Sequence, residues 1–232
     1  MPQDAPVSSL VVSNQTGRHE NLESIVAKHI RSRFDKPIAD HTRQAFTELQ
    51  ESVNLAEHPI ILDSGCGTAD SSMRLAGTFP RHLVIGVDKS LHRLSKAQLG
   101  RTPNLRLLRA DLIDFWRLLA AAKLKLDHHY LFYPNPWPKS KHLQRRWHGH
   151  PVFPTMLGLS NRLELRTNWK IYALEFAASI DYLLNTGYLT GKLDYKSFQP
   201  DSPMSAFERK YLHSDHVLHQ VTFTLRASNS PA

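Results

Sequence analysis

The chain has 232 residues, 41% of them hydrophobic, which suits one sizeable domain with an extension and argues against wholesale disorder. Apolar runs are short, as in Leu83 to Ile85, so none reaches the roughly 20 residues that span a bilayer. Cys66 is the one cysteine, which excludes an intramolecular disulfide; with no signal-like pattern after Met1, a cytoplasmic protein is expected. The formal charge of +8 attracts polyanions, with RNA, DNA and an anionic membrane surface as candidates beside the plainer reading of a basic, unspecialised surface.

In chain order, residues 1–17 are polar, with Pro2, Pro6 and Gly17, and read as a mobile tail. Leu22, Ile25, Val26, His29 and Ile30 fall at helical spacing, as do Ile38, Thr42, Ala45, Phe46 and Leu49, with Pro37 between the two pieces. Residues 1–55 are therefore expected to be a tail and helical extension, and residues 56–232 the main domain. There, strands are predicted at Ile60 to Leu62, His82 to Asp88, Leu105 to Leu108, Asp127 to Tyr133 and Leu163 to Arg166. Helical stretches are predicted around Met73 to Ala76, Leu91 to Leu99, Leu112 to Lys123 and Tyr172 to Leu184. A long loop separates the fourth and fifth strands, and Tyr188 to Leu193 with Gln220 to Leu225 can close the sheet as a late hairpin. This alternation predicts an α/β fold with a doubly wound, mostly parallel seven-stranded sheet and a late antiparallel hairpin.

The first three strands each end near a carboxylate, Asp63, Asp88 and Asp111. Ligands of open α/β sheets bind beyond the carboxyl ends of the strands. After Asp63, Gly65 and Gly67 allow a sharp turn and a close backbone approach. Asp88 is placed to accept from the two hydroxyls of a ribose, and Asp111 to accept from an adenine amino group or to cap a helix. Ordinary turn glycines and helix-capping aspartates are the plainer alternative. The Gly-Cys-Gly-Thr loop preceded by an acid resembles that of class I methyltransferases, which implies a Rossmann-like fold and S-adenosylmethionine as cofactor.

After the fourth strand comes Tyr133-Pro134-Asn135-Pro136-Trp137-Pro138-Lys139-Ser140-Lys141-His142-Leu143-Gln144-Arg145-Arg146. Prolines on either side hold Asn135 in an extended backbone. Trp137 offers a face for stacking a base. Lys139, Lys141, Arg145 and Arg146, with no acid among them, suit phosphate contacts. A proline-rich loop with a solvated basic face is the bland alternative.

The segment resembles the Pro-Asp-Pro-Trp-x-Lys-x-x-His-x-x-Arg-Arg signature of bacterial tRNA (guanine-N7-)-methyltransferases, the TrmB family. Thr167-Asn168-Trp169 resembles that family's Thr-Asp-Trp, and Ser205-Ala206-Phe207-Glu208-Arg209 its Thr-x-[Phe/Tyr]-Glu-x-Arg. The likeness runs from about residue 59 to 226. It implies a tRNA partner and methyl transfer to guanine N7. Asn135 would then serve catalysis and the cofactor, while Trp137, Lys139, His142, Arg145, Arg146, Asn168, Ser205, Phe207 and Glu208 would hold substrate. Glu208 would grip the Watson–Crick edge of guanine.

Two family aspartates are asparagines here, Asn135 and Asn168. An amide is neutral and cannot act as a base. Exchanging charge-assisted for neutral hydrogen bonds costs on the order of 10- to 1000-fold over two sites. The readings left open are guanine-N7 transfer with amides, transfer to another nucleic-acid or small-molecule acceptor, and RNA binding without catalysis. The 14 histidines include His128-His129 and the group His142, His148 and His150, but no zinc-like spacing, so no metal is expected. The basic residues of the N-terminal helices could extend an RNA platform, or form an ordinary solvated surface.

Overall fold

The computed structural model describes residues 8–100 and 102–226, so the tail expected for residues 1–7 lies outside the described residues. Seven strands form one sheet: β1 (Ile60–Ser64), β2 (Leu83–Asp88), β3 (Leu105–Arg109), β4 (Leu126–Phe132), β5 (Ser160–Thr167), β6 (Gly191–Phe198) and β7 (Leu218–Leu225). Their order is β3-β2-β1-β4-β5-β7-β6, with β1 to β5 parallel and β7 antiparallel to both its neighbours. The expected doubly wound sheet and its antiparallel end are therefore present. β1 and β2 are buried along their whole length, as apolar parallel strands covered on both faces should be.

The helices are α1 (Leu22–Arg31), α2 (Asp40–Ser52), α3 (Asp70–Thr78), α4 (Leu91–Leu94), α5 (Leu112–Ala121), α6 (Phe153–Gly158), α7 (Lys170–Asn185) and α8 (Ala206–Leu212). α1, α2, α5, α6 and α7 cover one face, where Val26, Phe46, Phe115, Trp116, Met156 and Phe176 pack on Leu62, Ile85, Leu131 and Leu163. Each fully buried Leu, Ile or Phe of this layer contributes roughly 1.5–3 kcal/mol. On the other face α3 brings Leu75 and Ala76 onto Ile61 and Val84. Beyond β4 that second face is polar, carrying Arg162, Lys192, Lys196, Gln220, Thr222 and Thr224. Among the described residues no helix is long and apolar enough to cross a membrane.

The structure departs from the sequence pattern at three places. The helix expected from Leu91 to Leu99 stops after one turn, because none of its residues is buried and Leu91 and Leu99 face solvent. Short helical turns at Ser140–Arg145 and Trp147–Gly149, then α6, fill the loop expected between β4 and β5. Residues 8–17 are not a mobile tail: they are tied down along their length. Ser8 N–H donates to Ser214 Oγ (2.8 Å), Ser13 Oγ donates to the Pro138 carbonyl (2.6 Å) and Gln15 Nε2 donates to Glu175 Oε1 (2.8 Å).

Candidate active site

The strand order reverses between β1 and β4, and there a cavity of about 460 Å3 opens beyond their C-terminal ends. Its size is that of a small-molecule site. One wall is the turn after β1. Gly65 and Gly67 have positive φ (82° and 59°), which glycine adopts without a Cβ penalty. Gly65 and Cys66 both donate to the Val87 carbonyl (2.8 and 3.1 Å), and Gly67 N–H donates to Asp88 Oδ2 (3.0 Å). Asp88 Oδ1 accepts from Ser90 N–H (2.8 Å) and lies 3.4 Å from the Arg93 guanidinium. Asp88 thus stands fixed in the cavity wall, with acceptor capacity left over. Asp111 also lines the cavity and caps α5, accepting from Ile113 N–H at 2.9 Å.

Asp63 is buried outside the cavity lining, and its Oδ2 accepts from Ser71 and Ser72 Oγ (2.6 Å each). These bonds anchor the start of α3. Burial pushes the Asp63 carboxyl up to about 6, against the two serine hydroxyls that pull it down. Gly67 likewise shapes the turn through Asp88 and is not in the lining, whereas Gly65 is. Behind the turn, Ser64 Oγ is bonded to buried His129 Nε2 (2.8 Å) and accepts from Trp116 Nε1 (3.2 Å). Burial lowers His129 to about 3, so the imidazole is neutral near pH 7.

The opposite wall is the loop after β4. Tyr133 and Trp137 bracket the Pro-Asn-Pro segment in left-handed backbone, with φ of 52° and 46°. Asn135 lines the cavity, and its Oδ1 accepts from Trp137 N–H at 3.2 Å. The Arg145 guanidinium lies 4.7 Å over the Trp137 ring and His142 meets it edge-on, so the stacking face expected of Trp137 is partly covered. Lys139, Lys141, Gln144 and Arg145 are exposed, and of these Gln144 and Arg145 line the cavity.

Arg146 also lies outside the lining. Sequence position groups it with the phosphate-binding cations, but it is fully buried and paired with Glu175. Glu208 is placed in the same way. Its buried carboxylate accepts from Tyr133 OH (2.7 Å), Arg166 NH1 (2.9 Å) and the Met204 backbone N–H, so it holds α8 in place instead of facing the cavity. Asn168 is outside the lining as well, bonded to His216 Nδ1 at 3.0 Å. Ser205 caps α8 by accepting from Glu208 N–H (3.1 Å), and Phe207 is 51% exposed, stacked beside Tyr211.

Tyr133, Gln144, Trp147, His150 and Tyr172 line the cavity although the sequence assigned them no ligand-binding role. Tyr133 follows a predicted strand end, the usual ligand position, and was open to that argument. Trp147 and His150 sit in irregular turns, which carry no periodicity to read.

A cavity of this size at the reversal point, with glycines after the first strand and an acid ending the second, belongs to a class I S-adenosylmethionine-dependent methyltransferase. The walls suit that cofactor: Asp88 offers acceptors for a diol, and Leu112 and Ile113 give apolar contact beside Asp111. The chain belongs to the family whose model, Methyltransf_4, is described as "Putative methyltransferase" and matches residues 57–221. A curated relative from Bordetella pertussis, named tRNA (guanine-N(7)-)-methyltransferase, is 25% identical over 96% of this chain and 95% of its own. Another so named, from Halorhodospira halophila, is 27% identical over 72% and 75%. Among solved structures, the 16S rRNA methyltransferase KamB superposes with a TM-score of 0.54 at 16% identity, covering 83% of this chain and 96% of that one. A 16S rRNA (adenine(1408)-N(1))-methyltransferase from Catenulisporales acidiphilia gives 0.51 at 17%, over 84% and 96%. These two likenesses show the fold.

Proposed function

We propose that this methyltransferase acts on N7 of a guanine in tRNA, in the cytoplasm. The observation that carries the reading is that Asn135 and Trp137, from the family's Pro-Trp loop, share one cavity with Asp88 and Asp111. The relatives' names supply the acceptor. In this reading Asp88 takes the ribose of the cofactor and Asp111 its adenine, while Asn135 faces both cofactor and acceptor. Lys139, His142 and Arg145 meet tRNA phosphates, and Phe207 extends the contact. Residues 1–55 act as a lead-in to the methyltransferase domain of 56–232.

The cofactor supplies a methyl group activated on a sulfonium. N7 of guanine carries a free lone pair, so its attack on that methyl would need no prior loss of a proton. The chain's task is then alignment and exclusion of water. A neutral Asn135 is compatible with that chemistry, because no base is required.

One observation favours a second reading, in which the acceptor differs. The carboxylates in the cavity wall, Asp88 and Asp111, are both at the cofactor end, while the acceptor end offers Asn135, Gln144 and Arg145. The test is transfer of labelled methyl to tRNA lacking the modification, with the product nucleoside identified by mass spectrometry and Asn135→Asp run alongside. 7-Methylguanosine from the native chain supports the first reading. Cofactor binding without a tRNA product points to another acceptor, and activity confined to Asn135→Asp locates the change at that residue.

A further inference from the structure

The loop after β4 holds itself by little more than the bond from Trp137 N–H to Asn135 Oδ1. Pro134, Pro136 and Pro138 have no N–H, so the segment lacks the donors for its own hydrogen-bond pattern. Its carbonyls are held from behind. Arg146 donates from Nε and NH2 to the Trp137 carbonyl (3.2 and 3.1 Å) and from NH2 to that of Lys139 (3.4 Å). Ser13 Oγ holds the Pro138 carbonyl (2.6 Å), and Asn14 Oδ1 accepts from Ser140 N–H (3.0 Å).

Arg146 is itself oriented by two distant groups. Its NH1 donates to Glu175 on α7 and its NH2 to Gln15 Oε1, while the guanidinium lies 4.8 Å over Trp169. Gln15 closes the circuit by donating from Nε2 to Glu175 Oε1 (2.8 Å), which also accepts from His19 N–H (2.9 Å). His148 Nε2 meets the other carboxylate oxygen at 2.9 Å. Gln15, Arg146, His148 and Glu175 do not themselves line the cavity, yet they fix the carbonyl of Trp137, a lining residue held in left-handed backbone.

We propose that Gln15, Arg146 and Glu175 are positioning residues for methyl transfer, and that the strap of residues 13–19 is thereby a working part of the active site. The proposal rests on the reading that the Pro-Trp loop faces the acceptor. Gln15 is the informative member, because it belongs to neither the strands nor the buried helices. Arg146→Lys keeps the charge but cannot reach carbonyl, carboxylate and amide at once.

The test compares Gln15→Ala and Gln15→Met in the full chain, the second keeping bulk without hydrogen bonds. Hydrogen exchange of peptides covering 134–146 is read by mass spectrometry, with kcat and KM for tRNA methylation and cofactor binding by calorimetry. The expected result for both variants is about 10-fold faster exchange in 134–146, a kcat lower by about 10-fold, and KM and cofactor affinity within about threefold. Unchanged exchange overturns the proposal, and so does faster exchange with unaltered kcat. If the native chain yields no product on tRNA, the acceptor reading fails. The exchange comparison then decides the strap's role in holding the loop.

Discussion

The phenol of Tyr133 donates to Oε1 of Glu208 across 2.7 Å, joining the loop after β4 to the short helix between the last two strands. Arg166 reaches the same oxygen at 2.9 Å and the Met204 N–H bonds to the other, so the carboxylate has three partners and is absent from the cavity lining. Glu208→Ala leaves the Tyr133 hydroxyl and one side of Arg166 unmet, and is expected to cost about 3 kcal/mol in urea unfolding. Tyr133→Phe removes one bond and keeps the ring, so about 1–2 kcal/mol is expected. A reversed order of these two variants would count against Glu208 as the anchor of α8.

Asp88 has a different failing when altered. An amide there cannot accept from Gly67 N–H, Ser90 N–H and a ribose hydroxyl together. Asp88→Asn should weaken S-adenosylmethionine binding roughly 10- to 100-fold in calorimetry while the sheet stays folded. Native-like affinity in that variant would remove Asp88 from the cofactor contact.

Glu175 links stability to acid. Burial alone would raise its carboxyl, but hydrogen bonds from His148 and Gln15 and the charge of Arg146 hold it down at about 2, below its ordinary 4.5. Its contribution is therefore full above pH 4.5 and is lost as pH falls through about 2. The loss is on the order of 3 kcal/mol over that window. Glu175→Gln should flatten the acid limb of a stability-against-pH curve, and an unchanged limb would argue against the pair.

Gly149 marks a close approach. A Cβ there would stand 2.2 Å from the Leu143 carbonyl oxygen and 2.7 Å from its carbon, both backbone atoms that cannot swing aside. Gly149→Ala should cost about 1–3 kcal/mol and displace the turns that carry Arg145 and Trp147. Thermal unfolding together with cofactor affinity would detect both effects.

Gly65, Asp88 and Asp111 were readable as residues of the cavity wall because strand ends place ligands in this fold class and because glycines and acids mark those ends. The positions of the first five strands followed from short apolar runs. Arg146 was not readable in the same way. Within Lys139 to Arg146 nothing local says which cation is buried, and its partners Glu175 and Gln15 lie 29 and 131 residues away. Glu208 was misplaced for a similar reason: Arg166, which turns it from the cavity, is supplied by β5, 42 residues away in the chain. α8 has seven residues and one buried side chain, too few for a period to emerge.

The route of residues 13–19 bears on how this enzyme can be cut or fused. The segment recognised as family runs over 57–221, so an excised version with those limits would carry Arg146 without Gln15 and the Pro-Trp loop without Ser13 and Asn14. Such a fragment would keep β1 to β6, the first half of β7 and every cavity-lining residue, yet its Pro-Trp loop would lose supports on the side away from the cavity. The boundary drawn by shared pattern and the boundary drawn by mechanics differ here by some forty residues, from about 57 back to about 13.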